Sequence, residues 1–166
     1  LSERFGPSDD IRRMPEQLTV YHGGTFGADR HGGLLFTSPD RSQAEAYAKE
    51  EGAPVNEFDI NLATIATDGQ AFQAMEDLGL APLDPALAEA VARREGLIYE
   101  YLDDSFEYRL GASQRARLVA ELKRRGFTGI KTRGQDVRPT GTGRQTATEY
   151  ILFETPSDDI RRMPEQ

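Results

Sequence analysis

Apolar positions along this chain follow two spacings, and each predicts a kind of element. Leu18–His22 (LTVYH) and Gly33–Thr37 (GLLFT) are short apolar runs read as strands, with the glycine-rich GGTFGADRHGG as the loop between them. Val55–Leu62 (VNEFDINL) alternates like a half-buried strand. Thr148–Phe153 (TEYILF) is the last strand; period-2 alternation puts Glu149, Ile151 and Phe153 on one face and Thr148, Tyr150 and Leu152 on the other. Helical spacing marks SPDRSQAEAYAKEEG, with Ser38 or Asp40 as cap, Ala44, Tyr47 and Ala48 on one face, and Gly52 as the stop. Gln70–Leu78 and Asp84–Glu95 also read as helices, the second opening on an Asp-Pro pair. The clearest helix is Ser113–Arg125, with Ser113 as cap, Leu118, Val119 and Leu122 inward, a basic last turn and Gly126 as terminator. GFTGIKT follows as a strand, then the Gly/Thr/Pro-rich loop DVRPTGTGRQTA. Strands at both ends around a helical middle predict an α+β domain rather than a doubly wound sheet.

Composition narrows the chemistry. A chain of 166 residues is long enough for one domain with one sizeable core. No apolar run approaches the roughly 20 residues that span a bilayer, and LSERFGPSDD lacks the basic and apolar parts of a signal peptide. A cytoplasmic location, in the producing, host or target cell, is therefore expected, with no membrane partner. The missing initiator Met suggests a piece excised from a longer chain, and a monomeric domain is expected. There are no cysteines, which removes disulfides, thiolate metal sites and cysteine nucleophiles. Two histidines, His22 and His31, without ligand spacing leave no expected metal.

The net charge of -8 argues against nonspecific binding to nucleic acid, but it is unevenly spread. Arg109–Arg144 holds ten Lys/Arg against Glu121 and Asp136, a local +8 that leaves -16 on the rest. Such a segment could hold phosphates or an acidic partner, or could in part be the cationic end of a helix. PSDDIRRMPEQ occurs twice, at Pro7–Gln17 and Pro156–Gln166. A domain-sized offset between polar, proline-bounded copies suggests linkers of a tandem array, an artificial duplication being the alternative. The expected organisation is a linker over 1–17, one catalytic domain over 18–155 and a second linker over 156–166.

Three segments could carry chemistry. A neutral histidine at a strand end, as His22 is, offers one donor and one acceptor, and Gly23 after it leaves backbone groups open to a planar amide. The ordinary reading is a glycine turn. Tyr47 sits among small neighbours that leave its ring reachable for stacking on a flat heterocycle, or it is a core tyrosine. Glu149 shares a face with Ile151 and Phe153, which is costly for a carboxylate unless it is paired or lines a cleft. Partial exposure at the strand entrance could soften that cost.

In this order and spacing, YHGG, FTSPDRSQAEAYA and TATEYILFETPSDDIR resemble the three motifs of the ADP-ribosyltransferase superfamily. The resemblance is to its His-Tyr-Glu branch, which includes poly(ADP-ribose) polymerases and diphtheria toxin. Wording such as the GF-x-GI of Gly126–Ile130 is closer still to bacterial and phage members, including domains of phage polyvalent proteins. The resemblance spans Leu18–Arg161 and implies an ADP-ribosyltransferase-like split β-sandwich of two small sheets with flanking helices.

It also implies NAD as substrate, with nicotinamide released and ADP-ribose passed to an acceptor, expected to be a protein, with nucleic acid as the alternative. By the same resemblance His22 would bond the adenosine-side ribose, and the Gly23 backbone would pair with the nicotinamide carboxamide. Tyr47 would stack on the nicotinamide. Glu149 would bond the 2′-OH and stabilise the charge developing at the anomeric carbon. Phe36 would supply a second stacking ring, with Ser38 or Thr37 adding a polar contact. The chain lacks an evident elongation subdomain, so mono-ADP-ribosylation is expected. An NAD glycohydrolase and an inactive binding module of a tandem polyprotein are the alternatives. Gln70–Glu107 matches no part of the family pattern.

Overall fold

The computed structural model describes residues 16–24, 33–135 and 146–154. Strand β1 (Gln17–Gly23) pairs antiparallel with β3 (Val55–Asn61), so that Leu18 lies opposite Ile60 and Val20 opposite Phe58. A four-stranded sheet holds β2 (Leu35–Thr37), β6 (Thr146–Leu152), β5 (Gly129–Gln135) and β4 (Ile65–Ala66) in that order. β4 runs parallel to β5; the other pairs are antiparallel. A two-bond bridge between Tyr21 and Ser38 ties β1 to the end of β2. The architecture is mixed α+β with two small sheets and several helices.

Alternation sets which side of each strand is buried. Val20, Leu35, Phe58, Ile60, Tyr150 and Leu152 form a smaller core contributed by both sheets. The opposite face of the larger sheet carries Ile130 and Ile151 into the main core, packed against three helices. These are α2 (Asp68–Leu78), α3 (Ile98–Leu102) and α4 (Ala112–Arg124). Their inward residues Phe72, Met75, Tyr101, Leu118 and Leu122 are buried, with Phe72 edge-on to Tyr101. Helix α1 (Arg41–Glu51) lies instead against β1. Asp40 caps it by accepting from the Ser42 N–H, and Gly52, at φ 65°, ends it.

Several local expectations are corrected. Asp84–Glu95 is not one α-helix: a 3-10 turn at Pro85–Leu87 runs into irregular turns ending near Arg94 (φ 53°) and Gly96 (φ 75°). Within that stretch only Ala90 and Val91 are buried, too narrow a stripe to anchor a regular helix. Ser113 does not cap α4; Gly111 does, without a side-chain bond, and Ser113 lies exposed in the first turn. Ser38 does not cap α1. α2 begins two residues early because Thr67 and Gln70 form a reciprocal capping box. Apart from Glu16 and Gln17, both copies of PSDDIRRMPEQ lie outside the described residues, as does His31. Among the described residues no helix is long and apolar enough to cross a membrane.

Candidate functional site

The alternation of β6 continues the main-core face from Ile151 to Glu149. Its neighbour across the pair is Thr132 of β5, on the same face. Glu149 is only 9% exposed. Its Oε1 has no hydrogen-bond partner among the described residues, and no cation is among the groups acting on it. Burial, with the negative charge of Asp103 second, pushes its carboxyl up to about 8. The expected softening by partial exposure is therefore absent: the carboxyl is desolvated and neutral below that pH.

Two helices bring aromatic and acidic groups to this carboxyl. Tyr47, on α1, is half-buried, and its phenol is pushed up by burial and then by Glu149, Tyr99 and Asp103. Tyr99, on α3, is also raised, by burial first and then by Glu100, Glu149 and Asp103. α1, β6 and α3 thus converge on one acidic and phenolic cluster. Tyr99 stands edge-on to Phe106, with ring centroids 4.9 Å apart.

His22 reaches the seam from the other sheet. Its Nδ1 lies 2.7 Å from the Phe36 carbonyl oxygen, which can only accept, so Nδ1 carries the proton. Phe36 is half-buried against the main core, opposite Ile151 and on the face that carries Glu149.

The remaining predicted contacts are used by the fold. Thr37 is buried and donates to the Tyr150 carbonyl at 2.8 Å. The Ser38 hydroxyl accepts the Asp40 N–H at 3.0 Å, shaping the entry to α1. Gly23 has a packing reason to lack a side chain: a Cβ there would lie 1.7 Å from the Ala44 carbonyl oxygen. The bare backbone lets α1 sit directly on β1, so the absence of a Cβ does not by itself call for a ligand.

The residues that sequence reasoning missed lie mainly in the unmatched middle. In GLIYEYLDD, Ile98, Tyr101 and Leu102 share an inward face while Tyr99 and Asp103, four residues apart, share another; that short helical pattern was the available signal. Gly134 is the other: a glycine inside a strand can mark a close approach. Thr132 and Asp68 also place unpartnered buried oxygens near this end of the sheet face. Burial raises the Asp68 carboxyl.

The basic segment is largely consumed within the fold. Arg115 is buried against Asp104 and the Leu102 carbonyl, Lys123 meets Glu154, and Arg124 and Arg125 share Glu121. No group of three or more potential metal ligands occurs among the described residues. Comparison of the chain with protein-family models, curated proteins and solved structures returns no match.

Proposed function

We propose that this domain is a mono-ADP-ribosyltransferase of the His-Tyr-Glu type, taking ADP-ribose from NAD to an acceptor, a protein in the first instance. The observation that carries the reading is the buried carboxyl of Glu149 beside Tyr47, its Oε1 without a hydrogen-bond partner and with no balancing cation among the described residues. A fold does not retain such a group for stability, because a desolvated carboxyl without partners costs free energy. It suits a ligand that arrives with positive charge, and the nicotinamide of NAD does.

In this reading the Tyr47 ring stacks on the nicotinamide and Glu149, ionised by the arriving cation, bonds the 2′-OH of the adjoining ribose. The glycosidic C–N bond then breaks, its electron pair leaving with neutral nicotinamide. The positive charge spreads over the anomeric carbon and ring oxygen, where the fixed carboxylate stabilises it more than it stabilises the ground state. An acceptor nucleophile forms the new bond and releases a proton. His22, held through Nδ1 by Phe36, hydrogen-bonds a ribose hydroxyl on the adenosine side. The split-sandwich fold of this family accords with two small sheets joined at Tyr21 and Ser38.

The test is incubation with adenine-labelled NAD and a cell lysate, following free nicotinamide and label on macromolecules. Wild type should release nicotinamide and label an acceptor; Glu149→Ala should do neither while still binding NAD. His22→Ala and Tyr47→Ala should mainly weaken NAD binding. Label confined to free ADP-ribose would identify a glycohydrolase, and equal activity in Glu149→Ala would refute the assignment.

A further inference from the structure

Glu149 lies across the strand pair from Thr132, and its carboxyl reaches two residues further along β5, over Gly134. A Cβ built on Gly134 would stand 2.7 Å from Glu149 Oε1, 2.8 Å from Cδ and 2.9 Å from Oε2. All three nearest atoms belong to that one carboxyl group. Gly134 is buried, pairs with Ala147 inside the ladder and is not among the residues with positive φ. Its backbone would therefore accept an alanine without strain; the carboxyl is what a side chain would meet. Elsewhere in the interior a glycine weakens a strand, so its presence here needs a local reason.

We propose that Gly134 is a positioning residue: its missing side chain forms the seat in which the Glu149 carboxyl lies flat against β5. Any side chain at 134 lifts the carboxyl off the sheet toward Tyr47, Tyr99 and Asp103. A carboxyl so lifted loses the depth that desolvates it and the fixed geometry that a transfer step needs. The seat itself is a matter of packing. Only its kinetic consequence rests on the transferase reading above.

The experiment is a double-substitution cycle of Gly134→Ala with Glu149→Ala, read by urea denaturation and by nicotinamide release. In the Glu149 background, Gly134→Ala should lower the urea midpoint. In the Glu149→Ala background, where nothing fills the seat, the same change should leave the midpoint unchanged or raise it. Gly134→Ala should also flatten the loss of stability between pH 4.5 and about 8 that the seated carboxyl imposes.

Among the described residues, the charged and titratable groups facing Glu149 are Asp103, Tyr47 and Tyr99, with Asp68 beyond Thr132. The two phenols stay neutral across that window, and Asp103 and Asp68 are common to every variant compared. For nicotinamide release, a carboxylate moved by about 1 Å should lose on the order of a hundredfold in kcat. Equal midpoint changes in the two backgrounds, or an unaltered pH dependence in Gly134→Ala, would overturn the seat. Energetic coupling in a wild type that never releases nicotinamide would leave the seat standing and remove the transferase reading instead.

Discussion

Replacing Glu149 by glutamine tests the electrostatics of the site without requiring any substrate. The shape is kept, but the group can no longer ionise. In the folded protein the Glu149 carboxyl holds its proton up to about 8, against an ordinary value of 4.5. Between those limits the folded chain retains a proton that the unfolded chain has lost. Wild-type stability from this group is therefore complete below pH 4.5, falls through the window and levels above about 8.

The slope is about 1.4 kcal/mol for each pH unit. The whole effect is roughly 5 kcal/mol. Glutamine brings its own cost, an unpaired amide of about 1–3 kcal/mol, but that cost does not change with pH. Urea denaturation of both proteins from pH 4 to 9 isolates the effect, because every other titrating group is common and its contribution largely cancels. Stability of wild type minus Glu149→Gln should decline steadily from pH 4.5 and flatten near 8. Parallel stability profiles would show that the carboxyl is solvated in the folded protein, and the account of the site would fall with it.

Four further outcomes follow from the same contacts. If the ionised carboxyl receives NAD, affinity should rise about tenfold for each pH unit up to about 8 and then level, with close to one proton released on binding in calorimetry at neutral pH; a pH-independent affinity would contradict this. Gly23→Ala should lose about 3 kcal/mol or more in chemical denaturation, because its Cβ would fall 1.7 Å from the Ala44 carbonyl and α1 would have to move. Met75→Ala, at a fully buried position between α2 and the sheet, should cost about 2–5 kcal/mol by the same assay. Tyr101→Phe should cost about 1–2 kcal/mol, since it leaves the Glu95 carbonyl without the phenol that bonds it.

Local pattern determined a good part of this protein. Alternation in TEYILF placed Ile151 and Phe153 in one core and Tyr150 and Leu152 in the other, and put Glu149 on the main-core side. Helical spacing and capping chemistry likewise located α1 with its Asp40 cap and Gly52 stop, and the inward Leu118 and Leu122 of α4. These features depend on residues within a turn or two of one another, and such relations are written directly in the order of the chain.

Tertiary structure decided the rest. β4 is two residues long and exists because Ile65 and Ala66 meet Gly129 and Ile130; no periodicity can show in so short a run. Tyr99 and Asp103 come to Glu149 only because α3 packs on β5, and Gly134 reveals its use only in the register that lays the carboxyl over it. The sequence marked Glu149 as a carboxyl on an apolar face. How deeply it is desolvated, and which groups surround it, depend on strand pairing and helix packing between segments tens of residues apart.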